Sequence, residues 1–256
     1  MSRIRIATLN VQSVLNPARF DNLYNHIQSA EIDIAFIQEA FLDEALTHEL
    51  ETRYPLIAIA SNKAIERGGV ATIINLKSTE WNAINTDTDE PTHIIHADQE
   101  GRLLVCSLIS HGEPMVVANV YAPADPSRRL EWFRATDAIL TNRPLAKGCD
   151  MVGGDWNETT TSADHHGNRT PARTREMEMS RLIDRLGGEN QLVDGWRETH
   201  PDTRAFTFFR GTQGISRIDR IHIRSDWIRD TRGWDIRPSG LQTDHHAVTT
   251  LLCLPR

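Results

Sequence analysis

Met151-Val152-Gly153-Gly154-Asp155-Trp156-Asn157 is an apolar run that ends on two glycines and then sets a carboxylate and an amide two residues apart. In an extended chain, residues i and i+2 share a face, so Asp155 and Asn157 point one way and Trp156 the other. The glycines allow the backbone to turn or to approach a ligand closely, so both polar groups can project from the carboxyl end of a strand. An Asp-x-Asn pair after glycines is also a common turn with side-chain caps, so its meaning depends on the rest of the chain. Similar apolar runs with β-branched residues recur at 3–11, 34–39, 56–61, 68–75, 103–109, 115–121, 206–209, 217–224 and 247–253, each of strand length. Helical patterns occupy 18–30, 43–53, 127–142 and 172–186, with Ser127 as an N-cap and Gly187-Gly188 as a stop. So few helices for so many strands disfavour a doubly wound parallel sheet. They predict an α/β chain of two mainly antiparallel or mixed sheets packed face to face, with helices outside.

The chain has 256 residues, enough for one large domain, and no break in composition divides it. A single domain over 1–256 is expected. No apolar run approaches the roughly 18 residues of a spanning helix, and Met1-Ser2-Arg3-Ile4 leads straight into a strand pattern with no signal peptide. An intracellular protein without a membrane partner is expected. Cys106, Cys149 and Cys253 are widely spaced among Val, Leu and Gly, as small core fillers would be. The net charge is −7, but the acid is concentrated early: residues 1–128 carry 9 basic and 17 acidic side chains, residues 129–256 carry 19 and 18. All but Lys63, Lys77 and Lys147 of the basic residues are Arg, the side chain suited to forked phosphate contacts.

Three further segments bring chemistry to the Asp155–Asn157 pair. Ile34-Ala35-Phe36-Ile37-Gln38-Glu39 stops on a carboxylate, and Thr8-Leu9-Asn10-Val11 is another strand with an amide near its end. In Ser216-Arg217-Ile218-Asp219-Arg220-Ile221-His222-Ile223, alternation groups Asp219 with Ile221 and Ile223, on a face that should be buried. A carboxylate there needs a donor. Thr243-Asp244-His245-His246, which opens the final strand, can supply an imidazole.

Taken in order, Thr8-Leu9-Asn10-Val11, Ile37-Gln38-Glu39, Asn119-Val120-Tyr121-Ala122-Pro123, Gly154-Asp155-Trp156-Asn157, Ser216-Arg217-Ile218-Asp219 and Asp244-His245 resemble the endonuclease/exonuclease/phosphatase superfamily over the whole chain. Within it, Asn119–Pro123, Phe206-Thr207-Phe208 and Ser216–Asp219 look most like the apurinic-endonuclease-like domain of non-LTR retrotransposons. The resemblance implies a DNase I-like four-layer α/β sandwich with the site at one edge of the two sheets. It implies Glu39 as the main ligand of Mg²⁺, or of Mn²⁺ in its place, with Asn10 and Asp244 nearby. Asp155, held by Asn157, would orient or deprotonate the attacking water, and His245 paired with Asp219 would stabilise the transition state. Tyr121 would donate to a phosphate oxygen or act as a phenolate. Thr207 would touch the same phosphate, and Ser216, Arg210 and Asn119 would also face substrate. The implied partner is duplex DNA, and the implied context is the nucleus, within a polyprotein that carries reverse transcriptase.

Departures from the family pattern narrow the substrate. Apurinic members follow Gln-Glu with Thr-Lys, where this chain has Ala40-Phe41-Leu42, and the Asn often found after Tyr-x-Pro is Ala124, followed by Asp125. The Gly-rich segment 210–215 resembles a hairpin that some retrotransposon nucleases present to the minor groove. The competing readings are an abasic-site repair endonuclease, a non-DNA phosphoesterase and a catalytically dead binding module; filled polar positions oppose the last. His165-His166 lacks a third ligand at metal spacing, and His111, His222 and His246 read as structural or solvated. Trp132, Trp156, Trp196, Trp227 and Trp234 read as packing residues. Residues 159–171, rich in Thr, His, Asn and Asp, read as a surface loop. Arg169, Arg173, Arg175, Arg181 and Arg185 are candidates to line DNA, among Glu176, Glu178 and Asp184.

Overall fold

The computed structural model describes residues 2–62, 68–77, 92–110, 113–168 and 172–254. His111 and Arg169 lie outside them. In chain order the elements are β1 (Ser2–Asn10), α1 (Pro17–Ser29), β2 (Ile34–Gln38), α2 (Glu44–Arg53), β3 (Ile57–Asn62), β4 (Val70–Asn75), β5 (Thr92–Ala97), β6 (Leu103–Ser110), β7 (Glu113–Tyr121), α3 (Pro126–Asn142), β8 (Met151–Asp155), α4 (Arg173–Gly187), β9 (Leu192–Asp194), α5 (Gly195–Thr199), β10 (Phe208–Arg210), β11 (Gln213–Ser216), β12 (Asp219–Arg224), β13 (Thr231–Pro238) and β14 (His246–Leu254). One six-stranded sheet runs β13-β14-β1-β2-β4-β3, and the other runs β5-β6-β7-β8-β12-β9. Pairing is antiparallel except for β1 with β2 and β7 with β8.

Alternation along the strands sorts the apolar side chains into three cores. Ile4, Ile6, Ile34 and Phe36 of the first sheet meet Val117, Met151, Ile221 and Ile223 of the second. Ala7, Leu9, Ala35 and Ile37 face the other way onto Phe20, Leu23 and Ile27 of α1 and Leu50 of α2. Val105, Ala118 and Val152 face Trp132, Phe133, Met179 and Leu182 of α3 and α4. The result is the expected helix–sheet–sheet–helix sandwich. Each fully buried Ile, Leu or Phe contributes about 1.5–3 kcal/mol, and the inner layer, covered on both sides, holds the sheets at fixed spacing.

Several expectations change in detail. The N-cap of α3 is Asp125, whose side chain accepts from the Ser127 backbone N–H, so Ser127 lies inside the first turn. Gly188 does end α4, in a left-handed conformation at φ 56°. Cys106 and Cys149 are fully buried free thiols, and burial pushes the Cys106 thiol up to about 12. Trp132, Trp156, Trp196 and Trp234 are buried, and Trp227 packs against the inter-sheet core. The segment after β8 is the main correction, because it is not simply a surface loop. Asp164 within it is completely buried and accepts from Arg217 Nε (2.7 Å) and Arg197 (2.6 Å), with Arg220 at 3.8 Å. Among the described residues, no helix is long and apolar enough to cross a membrane.

Candidate active site

β1, β2, β7 and β8 all end at one edge of the sandwich, and β12 and β14 begin there. Antiparallel pairing sets Asp219 directly opposite Asp155, and parallel pairing sets Tyr121 beside Asp155 and Asn10 beside Gln38. The glycines before Asp155 serve packing more than turning. A side chain at Gly153 would strike the Phe36 ring, and one at Gly154 the Val120 carbonyl, each at 2.1 Å. Gly153 lets the sheets close behind the carboxylate, and Gly154 lets β8 lie against the β7 backbone.

At the edge, Asn10 Nδ2 donates to Glu39 Oε1 (2.9 Å) and to Asp155 Oδ2 (3.1 Å), and the Tyr121 hydroxyl donates to the same Glu39 oxygen (2.9 Å). Asp155 Oδ1 accepts from the Asn157 backbone N–H (2.8 Å), while the Asn157 amide donates to the Ala122 carbonyl (2.8 Å). His245 Nδ1 meets Asp219 Oδ2 at 2.9 Å, and its Nε2 lies 3.6 Å from Asp244 Oδ1. Asp219 therefore finds the donor that its buried face demanded. Of the six non-glycine residues with positive φ among those described, Gln12, Ser13, Glu39, Phe41 and Asn157 all border this edge. Such conformations cost about 1–3 kcal/mol each, persist only where the surrounding structure over-determines them, and cluster at active sites.

Electrostatics separate the two halves of the site. Burial, and then the neighbouring Asp219, raise Asp155 above the usual carboxylate range. Burial alone would depress His245, but the carboxylates of Asp219, Asp155 and Asp244 outweigh it and raise the imidazole to about 10. It is an imidazolium at neutral pH. Burial, Glu39 and Asp155 hold the Tyr121 phenol well above its ordinary range, so it is a proton donor and not a phenolate.

Ligand atoms of Asp155, Asp219 and His245 lie within 4.8 Å of one another, and Asp219 Oδ1 is buried without a partner. Glu39, linked to Asp155 through the Asn10 amide, and Asp244, 3.6 Å from His245 Nε2, bring two further carboxylates to this edge beside the imidazolium. Oxygen-rich, negative and partly unsatisfied, the set fits a hard divalent cation.

The other candidates divide. Asn119 is fully buried between the sheets; its amide donates to the Ile37 and Ala71 carbonyls and accepts from Gln38, so it ties the sheets together and does not reach the edge. Thr207 is likewise fully buried. Ser216 borders a cavity of about 260 Å³ that also touches Asn157, Phe208 and Ile218. Arg210 stands exposed beside the tight turn of the β10–β11 hairpin, one residue after Phe209, whose N–H donates to the Asp244 carbonyl. Arg175, Arg181 and Arg185 pair with Glu158, Glu178 and Asp137, and of these Arg181 and Arg185 remain exposed, as Arg173 is. His222 packs edge-on against Trp156 and His246 stacks on Phe209. His165 and His166 meet the His166 carbonyl and Gln213. Sequence reasoning missed Gln12, whose backbone N–H holds Asn10 Oδ1 (3.1 Å) and whose amide holds Asp244 Oδ1 (2.7 Å). Only its position two residues after Asn10 pointed to it.

Comparison with known proteins agrees with this geometry. Over 249 residues the chain is 26% identical to the Transposon TX1 uncharacterized 149 kDa protein of Xenopus laevis, covering 96% of this chain and 18% of that protein. Its fold is similar to AP endonuclease LMAP from Leishmania major (TM-score 0.77, 15% identity, 99% of this chain and 88% of that one). It is also similar to the endonuclease domain of TRAS1, a telomere-specific non-LTR retrotransposon (TM-score 0.65, 16% identity, 100% of both chains). The Endonuclease/Exonuclease/phosphatase family model matches residues 7–245, a span that holds every group at the edge from Asn10 to His245, and the chain belongs to that family.

Proposed function

We propose that the chain is a divalent-metal-dependent phosphodiesterase that nicks duplex DNA by water attack, as one segment of a retrotransposon-type polyprotein acting in the nucleus. The observation that carries this reading is the convergence at one sheet edge of a proton acceptor (Asp155), an imidazolium held by a buried carboxylate (His245–Asp219) and further oxygen donors (Glu39 bonded to Asn10, and Asp244 bridged to Asn10 by Gln12). Similarity to a transposon protein and to a retrotransposon endonuclease domain supports DNA as the substrate.

Asp155, fixed by the Asn157 N–H and the Asn10 amide, is placed to take a proton from water. With Nδ1 turned to Asp219, His245 has Nε2 left to donate to a phosphoryl oxygen as negative charge builds there. Tyr121 adds a second donor beside Glu39. Glu39, with Asn10 and Asp244, would hold Mg²⁺ or Mn²⁺, which when bound supplies Lewis-acid stabilisation of the leaving oxygen.

Glu39→Gln keeps the shape of the side chain and removes a ligand charge, so the half-saturating Mg²⁺ concentration should rise about tenfold or more. Calorimetric titration with Mn²⁺ should show the same weakening. An unchanged half-saturation would place the cation elsewhere.

The substrate is tested by incubating the protein in Mg²⁺ with supercoiled plasmid, an abasic duplex and an inositol phosphate. Plasmid nicking without abasic preference is expected, since Ala40, Phe41 and Ala124 stand where apurinic members carry other groups. With a net charge of −7, only about 2–4 phosphates should be neutralised, giving a slope of log affinity against log salt of about −2 to −4. Phosphate release without nicking, or strong abasic preference, would overturn this reading.

A further inference from the structure

Thr207 has no access to solvent, yet each of its polar groups is directed at a segment flanking the Asp219–His245 pair. Its backbone N–H donates to the Ser216 carbonyl (2.9 Å), and its carbonyl accepts from the His246 N–H (2.7 Å). Its hydroxyl oxygen accepts from two consecutive backbone amides, Ile218 and Asp219, both at 3.0 Å. The next residue continues the attachment: Phe208 bridges to His245 through the backbone, and its ring centre lies 5.3 Å from the imidazole. Phe209 N–H then donates to the Asp244 carbonyl (2.9 Å).

Asp219 is the first residue of β12, where the ladder to β8 begins. An amide at a strand end has no ladder partner on its outer side, and a buried N–H without an acceptor costs about 1–3 kcal/mol. The Thr207 hydroxyl meets that need for two amides at once. It thereby fixes the backbone from which the Asp219 carboxylate reaches His245, while the Thr207 carbonyl fixes the residue after His245. Serine could supply the same oxygen; valine, of the same shape, could not.

We propose that Thr207 is a positioning residue, a three-way staple that sets Asp219 against His245, and that it makes no contact with substrate. The kinetic part of the proposal rests on the phosphodiesterase reading above; the structural part does not.

The test compares Thr207→Val and Thr207→Ser with the full chain by plasmid-nicking kinetics and by the low-field proton resonance of the His245 Nδ1–H bond to Asp219. Thr207→Val should lower kcat about tenfold or more with KM changed less than about twofold, the pattern of a lost transition-state interaction. It should also erase or broaden the resonance, and Thr207→Ser should recover both. A raised KM at unchanged kcat would make Thr207 a substrate contact. Wild-type kcat and resonance in Thr207→Val would overturn the staple. If the valine variant does not fold, Thr207→Ala, which also lacks the hydroxyl acceptor, is measured instead, and wild-type kcat and resonance there overturn the staple equally. Should the wild-type protein nick nothing, the function reading fails, and the resonance still decides the staple.

Discussion

Asp155→Asn is expected to cut nicking by about 10²-fold or more while raising the melting temperature of the metal-free protein at pH 8. The two effects have one cause. Burial and the facing Asp219 raise the Asp155 carboxyl above its ordinary range. A carboxyl with a raised folded-state value destabilises the fold when it ionises. The penalty is absent below the unfolded value of about 3.9, grows between the two values and is complete above the folded one. Asparagine removes the charge and keeps the oxygen that accepts from the Asn157 N–H, although the Asn10 contact must rearrange. At this chain length, 1 kcal/mol moves the melting temperature by about 2–4 °C, so a gain of a few degrees at pH 8 should shrink toward pH 4. Added Mg²⁺ should narrow the gap, because a cation offsets the repulsion only where the carboxylate remains. Calorimetry with and without chelator, beside plasmid nicking, reads all three. A folded Asp155→Asn protein with near-wild-type turnover would remove Asp155 from the chemistry.

That stability is sacrificed at this edge explains why the site was so legible in the sequence. Asp219 alternated with Ile221 and Ile223, and a carboxylate on an apolar face makes sense only with a partner. Asp155 and Asn157 after two glycines, and Glu39 at the end of an apolar strand, broke local rules in the same way. Most strands that matched expectation carry long, buried apolar runs; β10, three residues and only partly buried, is the exception. β5, β9, β11 and β13 were not expected as strands, because they are short or lie at sheet edges or in the hairpin, where few side chains are buried and little apolar pattern remains. β13, Thr231–Pro238, contains Arg, Gly and Pro and pairs with β14 across an irregular register. Asn119 and Thr207 were expected at substrate from their place in motifs, yet both satisfy buried backbone groups, and motif order does not show which way a polar side chain faces. Gln12 gave no compositional signal, since its role depends on Asp244, 232 residues away.

The same blindness to distant partners hid Asp164, and it leads to the largest expected change in stability. Asp164→Ala should destabilise the protein by about 3–5 kcal/mol, the usual result of leaving buried charges without a partner. Arg217 and Arg220 are fully buried, and Asp164 holds Arg217 through two contacts (2.7 and 3.2 Å) and Arg197 through one (2.6 Å). Asp194 shares Arg217 at 2.7 Å but cannot neutralise three guanidinium groups alone. Burial by itself would raise the Asp164 carboxyl, but Arg220 and Arg217 outweigh it and hold the group well below the usual range. A depressed carboxyl contributes stability that is present above its unfolded value of about 3.9 and lost as pH falls through the folded one. The deficit of Asp164→Ala should therefore persist undiminished from pH 5 to pH 8, unlike the Asp155→Asn gain. Asp164→Asn, which retains hydrogen-bond acceptance without charge, should fall between alanine and wild type. The backbone bond from Arg217 N–H to the Asp164 carbonyl (2.8 Å) survives the substitution, so the loss measured is that of the side-chain charge. Urea unfolding at pH 5 and pH 8 measures the loss. A deficit below about 1 kcal/mol, the scale of an exposed ion pair, would show that Asp194 and water suffice for the arginines.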